Sequence, residues 1–166
     1  FLYWYKIWRE VGDSRFCSGK FLVLASREAG DISCLLGLGV PISNIVGVEI
    51  NPEAAEEARK RYPGAEIITG DVAEVIKKRR RVFDFAYLDL CGCVGEQIIN
   101  TCITVIQWGM KSTSCIGWTV QVGREKDLHK LNRIKNWSRK HTESIICRNT
   151  NTSRSEQRFH NAKARV

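Results

Sequence analysis

Hydrophobic positions along the chain fall into short runs that alternate with segments of helical periodicity. Short apolar runs that are rich in β-branched and aromatic residues predict β-strands. The predicted strands are residues 21–25, 44–50, 65–69, 83–89, 115–122, 143–149 and 156–166. Apolar residues at helical spacing predict the segments between them to be helices. The predicted helices are residues 1–15, 31–38, 52–62, 72–79, 95–109 and 127–141.

Strands that alternate with helices predict an α/β fold with a mostly parallel sheet and right-handed crossovers. The turn-rich residues 149–153 predict instead that the last strand runs antiparallel to the one before it. We therefore expect a seven-stranded sheet with helices on both faces, in one domain over residues 1–166. This domain would consist of an N-terminal helix (1–19), a core (20–123) and a C-terminal part of the sheet (124–166).

The composition favours a globular cytoplasmic protein. Of its 166 residues, 43% are hydrophobic and 27% are charged, and no apolar run approaches the ~20 residues that span a bilayer. The N-terminal residues lack the basic and small-residue pattern of a secretory leader. Seven cysteines without regular spacing predict reduced, buried thiols. Cys91-Gly92-Cys93 with scattered histidines is a poor zinc pattern, so we expect no metal site.

The positive charge of the chain is concentrated. The formal net charge is +8, and residues 124–166, with 12 basic and 4 acidic side chains, carry the whole excess. A second basic cluster occupies residues 77–81. Clustered positive charge favours a polyanionic partner such as nucleic acid, although a solvated basic face without a partner stays possible. The candidate nucleic-acid-binding residues are Lys77, Lys78, Arg79, Arg80, Arg81, Lys130 and Arg133.

Acidic or glycine residues follow each of the first four predicted strands. In a parallel sheet, ligands bind outside the carboxyl ends of the strands, so these residues are candidates for a site. Glu49 ends the second strand, where a carboxylate is suited to accept hydrogen bonds from two vicinal ribose hydroxyls. Asp71 follows the third strand and is also a good N-cap for the next helix. Asp89 ends the fourth strand.

These positions resemble the class I methyltransferases that depend on S-adenosylmethionine, over roughly residues 20–123. The segments that match are Val-Gly-Val-Glu-Ile-Asn-Pro at 46–52, Thr-Gly-Asp-Val at 69–72 and Phe-Asp-Phe-Ala-Tyr-Leu-Asp-Leu-Cys-Gly at 83–92. The resemblance implies a Rossmann-like three-layer sandwich with residues 20–123 as the cofactor-binding core. It implies that Glu49 holds the ribose, that Asp71 contacts the adenine amine and that Ile50 and Val72 flank the adenine.

The same resemblance places the methionine end of the cofactor between the first and fourth strands. Asp89 would orient the methyl acceptor, accept its proton or hold the cofactor amine, and is the candidate catalytic residue. The family's Gly-x-Gly-x-Gly loop is replaced by residues 25–30, which contain one glycine, and either Glu28 or Asp31 could meet the amino group. Cys91 would line the pocket. The candidate cofactor-binding residues are Ala25, Ser26, Glu28, Gly30, Glu49, Ile50, Asp71, Val72, Asp89 and Leu90.

The function that the resemblance implies is methyl transfer from S-adenosylmethionine, and the basic residues favour nucleic acid as the substrate. Two alternatives stay open: a methyltransferase that acts on a small molecule or a protein, and a non-catalytic Rossmann-like module that binds nucleic acid. Little sequence is inserted between the core elements, so no separate target-recognition domain is predicted. A partner chain, a segment missing from this sequence or a homo-oligomer would then supply target recognition.

Overall fold

The computed structural model describes residues 2–12, 15–93 and 95–121. The predicted helix 127–141 and the predicted strands 143–149 and 156–166 therefore lie outside the described residues. The helices are α1 (Leu2–Gly12), α2 (Arg15–Ser18), α3 (Gly30–Gly37), α4 (Pro52–Arg61), α5 (Val72–Lys77) and α6 (Glu96–Thr104). The strands are β1 (Phe21–Leu24), β2 (Ile45–Glu49), β3 (Glu66–Thr69), β4 (Phe83–Cys93) and β5 (Met110–Gln121).

The five described strands form one parallel sheet in the order β3-β2-β1-β4-β5. The predicted α/β fold with parallel strands is confirmed for this part of the chain; a seven-stranded sheet with an antiparallel last strand is not seen within it. Because the chain moves outward from β1 in both directions, the order reverses between β1 and β4. A crevice opens at such a reversal, at the carboxyl ends of the strands.

Helices cover both faces of the sheet. Tyr5 and Trp8 of α1 pack with residues of α3 and α4 against one face, in a cluster that includes Phe21 and Phe85. Residues of α5 and α6 pack against the other face, around Ile76. Each central strand is therefore buried on both sides, which explains why β1 and β2 are continuous apolar runs in the sequence.

Local sequence explains where α4 begins and why β2 contains a glycine. The Asn51 side chain accepts hydrogen bonds from the backbone N–H groups of Glu53 and Ala54 at 2.9 and 3.2 Å, and Pro52 occupies the first helical position. A Cβ at Gly47 would lie 2.7 Å from Ala25 Cβ and equally close to Ile67 Cδ1. Only glycine fits this position without displacing both neighbours.

Within the predicted helix 1–15, the structure describes Leu2–Gly12 and Arg15 as helical, and residues 13–14 lie outside the described residues. The structure corrects three predicted boundaries. The helix predicted for residues 95–109 ends at Thr104 and continues as a single π-helical turn, Val105–Gly109. In addition, β4 extends to Cys93 and β5 begins at Met110.

The early start of β5 has a physical reason that the hydrophobic pattern hides. Met110 pairs with Phe83, and the pairing resumes at Cys115 with Phe85 after a shift of register. The intervening polar residues are tolerated because the Lys111 ammonium bonds the Asp84 carboxylate at 2.8 Å. Among the helices described, none is both long enough and apolar enough to cross a bilayer.

Candidate functional site

The strand register places the candidate residues in one row across the carboxyl edge of the sheet. Leu24 pairs with Val48 and Val23 pairs with Tyr87, so the next residue along β1, Ala25, falls level with Glu49 and Asp89. Glu49 pairs in turn with Thr69, and Asp89 pairs with Thr119. Neighbouring strands lie about 4.8 Å apart, so the backbones of Glu49 and Asp89 are separated by roughly 10 Å.

Glu49 and Ile50 form the part of this edge that follows β2. The Glu49 side chain is half-buried, and its Oε1 accepts a hydrogen bond from the Asn51 backbone N–H at 2.8 Å. The Ile50 side chain is 69% exposed, and among residues 5–10, 15–91 and 95–119 Trp108 is the other exposed large apolar residue. Such an exposed apolar side chain can contact the flat face of a ligand. The neighbouring carboxylate can accept hydrogen bonds from hydroxyl groups of the same ligand.

Asp71 is brought to the same place by the turn after β3. The Gly70 backbone N–H donates to the Glu49 carbonyl oxygen at 2.9 Å, so this turn is attached to the end of β2. Asp71 Oδ1 accepts from the backbone N–H groups of Ala73 and Glu74 at 2.9 and 3.1 Å and caps α5. Its Oδ2 takes no part in this cap. The Val72 side chain is only 7% exposed, so any contact of Val72 with a ligand would come from its backbone.

The loop after β1 is a tight turn whose strained residue is not a glycine. The Ala29 N–H donates to the Ser26 carbonyl oxygen at 3.0 Å, and Ala29 has φ 48° and ψ 44°, in the left-handed region. Ser26 and Glu28 are exposed, while the Ala25 side chain is fully buried. A Cβ on Gly30 would meet no atom within 4 Å, so Gly30 is not required for close packing.

A buried carboxyl group lies directly behind this loop. Asp31, in the first turn of α3, is 8% exposed, and the Tyr5 hydroxyl of α1 donates to its Oδ1 at 3.0 Å. Burial raises the pKa of Asp31 to about 6, the Tyr5 hydrogen bond opposes that shift, and the charge of Asp89 adds to it. The sequence singled out Asp31 as an alternative to Glu28 for an amino group, and of the two only Asp31 is buried.

Tyr5 contacts the candidate site residue Asp31, and the sequence analysis missed this contact. Burial and the neighbouring Asp31 carboxylate raise its pKa far above the usual range, so its hydroxyl remains a donor at any physiological pH. Its ring packs edge-on against Trp8 and Tyr87, with centroid distances of 5.7 and 5.6 Å. Helical periodicity predicted that α1 is amphipathic, but no local signal shows which of its residues reaches a carboxylate 26 positions later.

Asp89 lies within β4 rather than at its end. The Thr119 hydroxyl of β5 donates to Asp89 Oδ1, which fixes this half-buried carboxylate beside the crevice. Leu90 is half-buried and packs against the core, and Cys91 is exposed as a free thiol. Because β4 and β5 continue beyond the last residue of β1, they form a wall on one side of the crevice.

The basic cluster of residues 77–81 does not lie at this edge. It connects α5 to the start of β4, and in a parallel sheet the start of a strand is at the edge opposite to the carboxyl ends. The Lys77 ammonium forms an ion pair with the Glu74 carboxylate at 2.7 Å. Arg79 forms a bidentate ion pair with Glu66, and these hydrogen bonds lower the pKa of Glu66. Two of the five basic residues of this cluster are therefore engaged within the protein. Lys130 and Arg133 lie outside the described residues.

Two further observations bear on candidate sites. A groove of about 550 Å³, lined mainly by polar residues, runs between α5 and α6 and reaches the carboxyl edge of the sheet at Asp71 and at the start of α6. Its lining residues are Asp71, Ala73, Lys77, Glu96, Gln97, Asn100, Thr101 and Thr104. Among residues 2–12, 15–93 and 95–121, no group of three or more histidine, cysteine or acidic side chains could hold a metal ion.

Comparison with known proteins supports the architecture. Neither a protein-family model nor a curated protein matches the sequence. A TehB-like S-adenosylmethionine-dependent methyltransferase from Corynebacterium glutamicum superimposes with a TM-score of 0.52 and 13% identity, over 81% of this chain and 80% of that one. HI0767 from Haemophilus influenzae, provisionally assigned as a methylase, gives 0.53 and 10%, over 74% and 82%.

A third solved structure agrees with these two. The PH0226 protein from Pyrococcus horikoshii OT3 gives a TM-score of 0.53 with 20% identity, over 79% of this chain and 58% of that protein. At such low identities the likeness establishes the fold.

Proposed function

We propose, from the fold that this chain shares with class I methyltransferases, that it transfers a methyl group from S-adenosylmethionine to a nucleic acid. One observation carries the proposal: the carboxyl edge presents a row of carboxylates together with an exposed apolar side chain, at the reversal of strand order where this fold binds its ligand. The two strands predicted for residues 143–166, the last antiparallel, would complete the sheet.

The residues present fit the nucleoside end of this cofactor. Glu49 Oε1 is already engaged by the Asn51 N–H, which orients the carboxylate, and its remaining lone pairs can accept from two ribose hydroxyls. Ile50 offers an exposed apolar surface for the adenine ring. Asp71 keeps one oxygen outside the α5 cap that can accept from an exocyclic amine.

The methionine end would be recognised by charge rather than by a glycine-rich loop. When bound, S-adenosylmethionine supplies an electrophilic methyl group on a positively charged sulfur, next to an α-ammonium group. Asp31 and Asp89 concentrate negative charge at the crevice, and a nearby cation would stabilise the ionised form of Asp31. Tyr5 and Thr119 hold the two carboxylates in place. Asp89 faces the crevice and would orient the methyl acceptor or accept its proton.

Nucleic acid is the favoured substrate because of charge. The net charge of +8 and the exposed basic residues of the cluster at 77–81 provide the electrostatic attraction that nucleic-acid binding requires. Lys130 and Arg133 would add to it. We further propose that a partner chain or a second copy contributes target recognition, and that the protein works in the cytoplasm. The competing proposals are a small-molecule or protein substrate and a non-catalytic binding module.

The decisive experiment is calorimetric titration of the purified chain with S-adenosylmethionine. Glu49→Ala removes an acceptor of two charge-assisted hydrogen bonds, so binding should weaken by about 100-fold or more. Glu53→Ala is the matched control, because it removes an exposed carboxylate four residues later on α4 and should leave affinity unchanged.

Thermal melting of both variants separates loss of binding from loss of folding. If the wild-type chain binds neither S-adenosylmethionine nor its demethylated product, the enzyme proposal fails and the non-catalytic module replaces it. If it binds both but methylates no nucleic acid, the substrate proposal alone is wrong.

A further inference from the structure

The amino edge of the sheet carries a surface that the cofactor site does not use. Four exposed residues form it: Lys78, Arg80 and Arg81 from the connection between α5 and β4, and Trp108 from the π-helical turn before β5. We call these four residues the arginine–tryptophan surface. The Arg81 backbone N–H donates to the Trp108 carbonyl oxygen at 2.6 Å, so the two segments are directly attached.

The backbone beneath Trp108 is held on both sides. A Cβ on the following residue, Gly109, would lie 2.7 Å from Ile76 Cγ2, so this residue lies directly against α5. Met110, the next residue, pairs with Phe83 of β4. The exposed indole therefore projects from a fixed segment rather than from a mobile loop, and single π-helical turns of this kind occur often at functional sites.

The exposure of Trp108 is unusual for this chain. Its side chain is 44% exposed, and Ile50, in the proposed adenine site, is the other large apolar residue left exposed in residues 15–91 and 95–119. A half-exposed indole offers a flat surface on which an aromatic ligand can stack. Such a surface fits a partner with flat rings better than one with extended apolar chains.

Three basic side chains of the arginine–tryptophan surface are available to bind a ligand. Lys77 and Arg79 are engaged by Glu74 and Glu66, whereas Lys78, Arg80 and Arg81 form no ion pair with a described acidic residue. Charged side chains that point to solvent beside an aromatic ring can contact phosphates while the ring stacks on a base.

The backbone conformation of Arg81 is a second observation that points to a function for this turn. Its φ of 45° lies in the left-handed region, where a side chain costs of the order of 1 kcal/mol and glycine would cost less. The chain has a long cation at a position that local stability would assign to glycine. Strain of this kind is found where the side chain serves a function.

We infer that the arginine–tryptophan surface binds single-stranded nucleic acid, with a base stacked on Trp108 and phosphates held by Lys78, Arg80 and Arg81. An unpaired strand is favoured over a duplex because only unstacked bases can stack on a side chain. A membrane is disfavoured because one indole, with no other exposed large apolar side chain in this surface, buries too little apolar area in a bilayer. The inference deepens the nucleic-acid part of the proposed function, and places an anchor at the edge opposite to the methyl-transfer site.

Fluorescence anisotropy of a labelled mixed-sequence single-stranded oligonucleotide tests the stacking. Trp108→Phe keeps an aromatic face, and Trp108→Leu keeps an apolar side chain without an aromatic face. Because position 108 is exposed, both variants should fold. Loss of base stacking should make the Leu variant bind roughly 5- to 100-fold more weakly than wild type, with the Phe variant in between. Equal binding by the Phe and Leu variants would overturn the stacking role.

Charge reversal tests the phosphate contacts. Arg80→Glu should weaken binding and make the slope of log affinity against log salt shallower by about 0.7 for each lost phosphate contact on a single strand. Lys60→Glu is the matched control, because Lys60 is an exposed cation on α4, on the opposite face of the sheet. If Lys60→Glu weakens binding as much as Arg80→Glu, the attraction is diffuse and the site does not exist.

Two further measurements identify the ligand class and keep this inference separate from the proposed function. Binding of a duplex of the same length should not change when Trp108 is replaced. Binding to vesicles of phosphatidylcholine and phosphatidylserine in equal amounts should not change either. Retention on the vesicles that depends on Trp108 would refute the nucleic-acid assignment. Titration of Trp108→Leu with S-adenosylmethionine should match wild type. Failure of cofactor binding in the wild-type chain would overturn the enzyme proposal and leave the anchor intact.

Discussion

The two edges of the sheet differ in the sign of their charge and in how far their charged side chains are buried. The carboxyl edge is acidic: Asp31, Glu49 and Asp89 lie there, one of them almost fully buried. The amino edge presents Arg80 and Arg81 to solvent. A single parallel sheet thus separates a site suited to a cationic cofactor from a surface suited to a polyanion. Phosphates placed directly over the acidic row would be repelled, so an anion anchor functions better at a distance from it.

Each edge also contains one residue that is not glycine but has a positive φ. Among the described residues these are Ala29 at the carboxyl edge and Arg81 at the amino edge. The Ala29 methyl group is buried, so packing offsets part of its strain, whereas the Arg81 side chain is exposed. The comparison indicates that strain at the first position has a structural compensation and that strain at the second does not.

The largest expected effect tests the buried acid of the carboxyl edge. The pKa of Asp31 in the folded chain is about 6, above the value near 3.9 of an unfolded aspartate, so the folded state holds its proton more tightly. Stability should therefore fall as pH rises from about 4 through about 6, and Asp31→Asn should remove that loss. The unfolding free energy of Asp31→Asn minus that of wild type should therefore be larger at pH 8 than at pH 4, by up to about 3 kcal/mol.

Urea unfolding at the two pH values measures this difference, with Glu28→Gln as the control for an exposed carboxylate of the same edge. A gain of stability that is equal at pH 4 and pH 8 would contradict the raised pKa. The same Asp31→Asn variant should bind S-adenosylmethionine more weakly, because it lacks a charge that the cofactor's ammonium would meet. A variant that is more stable and binds equally well would remove Asp31 from the site.

A smaller effect separates the two roles of Asp71. Asp71→Ala removes the acceptor for two backbone N–H groups at the start of α5 and should cost about 1 kcal/mol in the free energy of unfolding. Asp71→Asn is an equally good cap and should keep that stability. Both variants lose the carboxylate proposed to accept from the adenine amine, so both should bind cofactor about 10-fold more weakly. Normal binding by Asp71→Asn would leave Asp71 with the capping role alone.

The smallest effect concerns the amino edge. Arg81→Gly should raise the free energy of unfolding by less than about 1 kcal/mol, because relief of the positive φ exceeds the entropy that glycine adds to the unfolded chain. Ala29→Gly also loses a buried methyl group and should be close to neutral. Urea midpoints measure both variants. A destabilised Arg81→Gly would show that the arginine side chain supports the fold, which would break the contrast drawn between the two edges.

The sequence predicted the centre of the fold well because the central strands are buried on both faces. Such strands read as continuous apolar runs, and the predicted segments 21–25 and 44–50 match β1 and β2 to within a residue at each end. The edge strand β3, predicted over 65–69, also matches to within a residue. The ends of β4 and β5 were missed because they extend beyond the covered part of the sheet. There, polar residues such as Lys111 are tolerated by pairing with a neighbour, and no apolar pattern marks the strand.

The site was predictable only where topology alone decides position. Glu49 and Asp71 follow strands of a parallel sheet, so their common edge was foreseen from element order. Tyr5 was not, because its contact with Asp31 depends on how α1 packs against the sheet. Arg79 was assigned to phosphate binding, yet it is engaged by Glu66 of β3. That pair joins positions distant in sequence, and no spacing rule shows it.

The length of β4 sets the distance between the arginine–tryptophan surface and the proposed site of methyl transfer. Phe83 begins the strand beside the arginine–tryptophan surface and Asp89 lies six residues further along, which is roughly 20 Å at about 3.3 Å for each residue. An unpaired nucleic-acid strand that runs from one to the other would have to span at least this length. A protein built in this way would select its target base by counting along the strand from the point of attachment, and the length of β4 would act as the ruler.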